Sequence, residues 1–227
     1  MEYKIIGTTM QVVECTLRSG ETLQCQTGAM KYMDAGIEMK TGSAGGVGGF
    51  IKRKMTGESG FLNIYTATAD GQRVAFGHTF PGNIFGIDVS RQSIVCQRRS
   101  FLASEPSVDL QIAFQKKLGA GFFGGEGFIM QRLAGSGMAL VELDGEVIEI
   151  NLEAGQKLKV ETGAVGMYEG TVNMDVEMVK GLGNLFFGGE GLFLTTLTGP
   201  GRVWLQTMSI QSMAGELYPY LPIKKSN

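Results

Sequence analysis

Leu118-Gly-Ala-Gly-Phe-Phe-Gly-Gly-Glu-Gly-Phe128 is followed later in the chain by Leu182-Gly-Asn-Leu-Phe-Phe-Gly-Gly-Glu-Gly-Leu192, and a fainter relative precedes both at Gly45-Gly-Val-Gly-Gly-Phe50. The offset from Phe123 to Phe187 is the offset from Glu126 to Glu190. The flanks repeat as well: Val147-Ile-Glu-Ile-Asn-Leu-Glu-Ala-Gly155 resembles Val12-Val-Glu-Cys-Thr-Leu-Arg-Ser-Gly20, and Gly163 falls where Gly28 does. A middle version starts near Ile84 and runs through Cys96. A long internal period of this kind predicts one small unit used three times. The expected division is a leading strand over 1–9, repeats over 10–80, 81–145 and 146–212, and a tail over 213–227.

The units read as β. In Thr171-Val-Asn-Met-Asp-Val-Glu-Met-Val179 the apolar residues Val172, Met174, Val176 and Met178 alternate with polar ones. Neighbours in a strand point to opposite faces, so this pattern marks strand. Val108 to Phe114 and Val147 to Leu152 alternate in the same way. Turns are marked by Ser19-Gly20, Asp70-Gly71, Gly135-Ser136-Gly137, Asp144-Gly145, Ala154-Gly155 and Gly199-Pro200-Gly201. The one short helix predicted is the tail around Met213 to Tyr218. The fold class is therefore all-β, built from one small β unit repeated three times.

Composition narrows the function. The chain has 227 residues and 35 glycines, about twice the usual share of roughly 7%, and they fall at turns rather than in a low-complexity period. The formal charge of −2 gives no general attraction to nucleic acid or to an anionic membrane. No apolar run approaches the roughly 20 residues that span a bilayer, and the start lacks a signal-peptide pattern. A cytoplasmic protein is expected. Cys15, Cys25 and Cys96 show no zinc-site spacing and are expected as buried thiols. Cys15 and Cys25 flank what reads as a hairpin turn. A loop of three residues makes them face each other; a loop of two sends them to opposite faces.

Each chemical motif has a plain structural alternative. Gly119-Ala-Gly-Phe-Phe-Gly124 fits the dinucleotide fingerprint, with Asp144 near the expected acidic position. That site needs a helix N-terminus aimed at the pyrophosphate, and a strand-like Phe128-Ile-Met follows instead. His78 is the only histidine and has no nucleophile elbow beside it. Lys52-Arg-Lys54, Arg98-Arg99, Lys116-Lys117 and Lys224-Lys225 read as solvated faces, without a regular stripe. The candidate site is the repeated phrase itself: Phe122, Phe123, Phe186 and Phe187, with Glu126 and Glu190. The phenylalanines either pack between repeats or subunits, or form an exposed interaction loop. The glutamates either accept amide hydrogen bonds in a tight turn or act as a pair of acids. No catalytic, cofactor or metal residues are assigned.

Thr27-Gly-Ala, Thr162-Gly-Ala-Val, the two Phe-Phe-Gly-Gly-Glu-Gly phrases and the closing Tyr220-Leu-Pro222 resemble bacterial members of the mitochondrial-biogenesis family, which includes the altered-inheritance-of-mitochondria proteins of fungi. The resemblance covers nearly the whole chain and carries no catalytic motif. It implies three repeated small β-sandwich units, double-stranded β-helix-like and similar to those of the tryptophan RNA-binding attenuation protein, a ring-former. Three units per chain then suit a homotrimeric ring. The function expected is a non-enzymatic scaffold or interaction protein whose partner is chiefly itself. A further protein partner or a peripheral membrane contact stays open. The alternative is an RNA- or small-ligand-binding module with sites between units, although nucleic acid is disfavoured by charge.

Overall fold

The computed structural model describes residues 1–42, 62–77, 80–116, 127–178, 193–217 and 220–221. Along the chain, β1 (Glu2–Ile6) precedes β2 (Val12–Leu17), β3 (Thr22–Gln26), β4 (Met30–Met33), β5 (Ile37–Gly42), β6 (Leu62–Ala67) and β7 (Gln72–Phe76). There follow β8 (Gly82–Asp88), β9 (Ile94–Gln97), β10 (Phe101–Ser104), β11 (Val108–Lys116), β12 (Phe128–Gly135) and β13 (Met138–Asp144). Then come β14 (Val147–Leu152), β15 (Lys157–Glu161), β16 (Val165–Glu169), β17 (Asn173–Met178), β18 (Phe193–Thr198) and β19 (Gly201–Gln206), and the helix α1 (Ile210–Leu217) closes the chain. Ser209 caps α1: its Oγ accepts a hydrogen bond from the Ser212 amide at 3.1 Å.

The strands form four sheets, ordered β1-β2-β7-β4, β5-β6-β3-β10-β13-β8, β11-β12-β9-β16-β19-β14 and β15-β18-β17, with antiparallel neighbours throughout. The architecture is all-β, made of open sheets. One pairing order recurs along the chain. β2-β7-β4, β8-β13-β10 and β14-β19-β16 match one another, as do β5-β6-β3, β11-β12-β9 and β17-β18-β15. The three glycine-rich phrases all fall in the chain between the first two strands of one of these latter sets: β5 and β6, β11 and β12, β17 and β18.

Alternation explains the packing. Both faces of the two six-stranded sheets are covered, so their central strands are apolar at adjacent positions. In β10, Phe101 enters the core shared with Cys96, Leu133 and Trp204, while its neighbour Leu102 enters the core with Val13, Tyr65 and Phe76. A third core gathers Val95, Met130, Leu152, Val176, Leu197 and Val203. Apolar area removed from water stabilises at about 25 cal/mol per Å², and each of these cores joins neighbouring sheets.

Cys15 and Cys25 do not flank a hairpin. β2 pairs with β7 and β3 with β6, so the Gly20 turn carries the chain from one sheet to another. Local alternation reports faces, not partners. The turn is fixed by Gly20 donating to the Ala67 carbonyl and Ala67 donating to that of Glu21. Both thiols enter the same core and are unpaired.

Candidate functional site

Among the terminal strands of the four sheets, β4 at one end of the first sheet and β15 at one end of the last are the two whose counterparts in the recurring order pair with a further strand. Elsewhere their counterparts meet. β3 pairs with β10, placing Ala103 opposite Cys25 and Ser104 opposite Gln24. β9 pairs with β16, placing Met167 opposite Cys96, Tyr168 opposite Val95 and Glu169 opposite Ile94. Each join is reinforced by a buried glutamine. Gln24 Nε2 donates to Ser104 Oγ at 3.0 Å and to the Val108 carbonyl at 2.8 Å. Gln97 Nε2 donates to the carbonyls of Gly163 at 3.1 Å and Val165 at 2.7 Å. A buried amide without such acceptors is costly, so these contacts fix alignment as well as adding stability.

The face of β4 carries a charged cluster. Glu14 is paired with Lys4 at 2.8 Å and lies 3.7 Å from Arg73, and Tyr32 donates its hydroxyl to Glu14 at 2.5 Å. Hydrogen bonds from Lys4 and Tyr32 hold the Glu14 carboxyl below its ordinary range, and that bond to Glu14 pushes the Tyr32 phenol up. Asp34, just after β4, accepts from the Arg73 amide at 2.8 Å and from its guanidinium at 3.0 Å through two nitrogens. This forked geometry holds Asp34 ionised below its usual range. A related arrangement recurs at the last residue of β16. Glu169 accepts from the Arg202 amide at 2.9 Å and from its Nε at 2.7 Å. After β10, Glu105 accepts from the Met138 amide at 2.7 Å.

Phe122, Phe123, Glu126, Phe186, Phe187 and Glu190 lie outside the described residues, as does His78. The residues that border the first phrase are placed. Gly127 has φ +84°, and β12 begins at Phe128. The first described element after the GxGxxG-like run is thus a strand, and the run itself lies outside the described residues. Lys116 is tied down, its ammonium donating to the Val176 carbonyl. Among the described residues no group of three His, Cys, Asp or Glu gathers to hold a metal ion, and no helix is long and apolar enough to cross a membrane. Burial pushes the thiols of Cys15 and Cys96 up to about 12, and that of Cys25 up as well. Thiols so protonated are poor nucleophiles.

The sequence reading passed over β4 and β15. Their signal lies in comparing like positions. Lys31 stands where Leu102 and Gly166 stand, and Glu161 where Gln26 and Gln97 stand. Charge at positions that are elsewhere uncharged marks the open edges.

Residues 3–208 match the family described as Mitochondrial biogenesis AIM24. The chain belongs to this family. A curated relative, the uncharacterized protein M6_Spy0233 of Streptococcus pyogenes serotype M6, is 28% identical over 96% of this chain and 90% of its own length. The crystal structure of protein SPYM3_0169 from Streptococcus pyogenes is similar in fold, with a TM-score of 0.78 at 21% identity, covering 97% of this chain and 99% of that one. The AIM24 match thus runs from within β1 to just past β19 and includes β4 and β15.

Proposed function

We propose that this AIM24-family chain is a non-enzymatic cytoplasmic scaffold: three copies of one six-stranded unit that close, with other copies of the chain, into a homotrimeric ring. The observation that carries the reading is that β4 and β15 lack the join that their counterparts make. Within the chain, the second strand of one set always joins the third strand of the next, as β3 joins β10 and β9 joins β16. What is left over is one third strand, β4, and one second strand, β15. These are complementary ends of a head-to-tail array. A heterologous contact of this kind closes into a ring when its rotation permits, and closure leaves neither end with unpaired amides and carbonyls. The number three comes from the resemblance to ring-forming attenuation-protein units. Protonated, buried thiols support a role without nucleophilic chemistry, and three unpaired cysteines suit a reducing compartment.

Native mass spectrometry of the purified chain tests this. A single species of three chains is the expected result. A monomer at every concentration, or an open-ended ladder of sizes, overturns the closed ring.

A further inference from the structure

Resting on that ring reading, we infer that β4 of one copy pairs antiparallel with β15 of a second copy in one defined register: Tyr32 opposite Val160, Met33 opposite Lys159 and Asp34 opposite Leu158.

The register follows from the chain's own joins. Tyr32, Ala103 and Met167 hold the same place, because each sits just past a bulge in its strand. The ladder to the neighbouring strand shifts between Met30 and Tyr32, between Phe101 and Ala103, and between Val165 and Met167. A bulge interrupts the ladder at one residue, so it pins alignment against slippage. On the other side, Cys25, Cys96 and Val160 hold one place in their strands, with Gln24, Val95 and Lys159 one residue before them. Ala103 faces Cys25 and Met167 faces Cys96. Tyr32 must then face Val160, and the two following pairs are set with it.

Exposure points to the same surface. Ala103 and Met167 are 0% and 1% exposed, whereas Tyr32 is 42% exposed; Ser104 and Tyr168 are likewise buried, whereas Met33 is 38% exposed. An aromatic and a thioether on a short, uncovered edge are the side chains that a second strand would cover.

Charge selects the orientation. One step beyond the ladder, Leu102 lies toward Gln26 and Gly166 toward Gln97; between copies the same step brings Lys31 toward Glu161. Gln97 serves its join by donating an amide to two carbonyls. A carboxylate cannot donate; Glu161 accepts from the Gly163 amide at 2.9 Å and is exposed, so the place that takes an amide donor within the chain takes the Lys31 cation between copies. The contact between copies is thereby ionic where the contacts within a chain are neutral. Salt weakens such a contact between exposed groups.

Cysteine pairs test the register. Directly opposed residues in antiparallel strands bring their Cβ atoms within about 4.5–5.5 Å, close to disulfide reach, whereas diagonal pairs are about 7–8 Å apart. The variant Tyr32→Cys/Val160→Cys is oxidised with copper–phenanthroline beside Tyr32→Cys/Leu158→Cys, which is displaced by two residues on the same face. The native thiols are buried and do not compete. The first variant is expected to give covalent trimer at least tenfold faster than the second. To guard against misfolding of a double variant, chains carrying Tyr32→Cys alone and Val160→Cys alone are mixed, and a cross-linked pair is expected only in the mixture. A trimer by native mass spectrometry that cross-links faster through Leu158, or through neither position, overturns the register and leaves the ring standing. A monomeric wild-type chain overturns both. As a second reading of the same contact, Lys31→Glu and Glu161→Lys should each weaken assembly at least tenfold, and the two together should restore it. Failure of the combined variant to recover overturns the ionic pairing.

Discussion

The strands β10 and β4 occupy the same place in the pairing order, yet one is an interior join and the other an open edge. Phe101-Leu-Ala-Ser104 is buried throughout, whereas Met30-Lys-Tyr-Met33 is half-buried at its first residue and exposed over the other three. The backbone plan is shared, down to the bulge between the first and third residues. Only the side chains differ. Where a sheet covers both faces, adjacent positions are both apolar, as Phe101 and Leu102 are. Where no further strand joins the outer side, lysine and tyrosine stand instead, and Glu14, Arg73 and Asp34 neutralise the surface around them. Strand geometry and strand partnership are thus encoded separately: the first in turns and bulges, the second in what the side chains can bury.

The contrast is broken most severely by truncating the interior join. Leu102→Ala removes a side chain that is 0% exposed and leaves a cavity between two sheets, so a loss of about 2–5 kcal/mol in unfolding free energy is expected. At the same strand position Lys31→Ala should change the stability of dilute chain by less than about 0.5 kcal/mol. Urea unfolding of the two variants side by side checks this, and equal losses would erase the distinction. A smaller effect is expected at the second join. Gln97→Leu keeps the bulk but deprives the Val165 carbonyl of its donor, costing about 1–3 kcal/mol in the same measurement.

The smallest effect sharpens the comparison from the side of the open edge. Glu14 and Asp34 titrate below their ordinary values in the folded chain, the first through hydrogen bonds from Lys4 and Tyr32, the second through Arg73. Folded carboxyls with lowered values contribute stability above the unfolded value of about 4 and lose it as pH falls through the lowered range. Glu14→Gln with Asp34→Asn should therefore flatten the fall in stability on the acid side of that value and leave the pH dependence above it unchanged. Unfolding free energies measured across a pH series would show this. An unaltered acid slope would mean that the cluster does not couple to folding.

Much of the fold was legible in the sequence. The stretch Val147 to Leu152 alternates and is β14. The turn glycines Gly20, Gly71, Gly145 and Gly155 all adopt positive φ, the conformation that makes glycine a punctuation mark. The predicted tail helix overlaps the expected stretch but begins earlier, at Ile210, because Ser209 supplies its cap. Pairing was less legible. The short turn at Ser19-Gly20 suggested that β2 and β3 were partners, but they belong to different sheets, and periodicity along one strand carries no information about its neighbour. The candidate phenylalanines were singled out because their phrase repeats. The open edges announce themselves by the opposite sign, a departure from the repeat at Lys31 and Glu161.

Gly86 carries a consequence of its own. A Cβ built there would come within 2.1 Å of the Tyr3 hydroxyl and 2.4 Å of its ring, because β1 lays that side chain across β8. In the two matching strands the same position holds Glu14 and Glu149. The tyrosine thus stands in for the side chain that Gly86 lacks. During descent the two sites are bound to one another: a lineage can regain a side chain at position 86 only after surrendering the aromatic at position 3. Their joint history should therefore be readable as covariation between the first strand and the eighth.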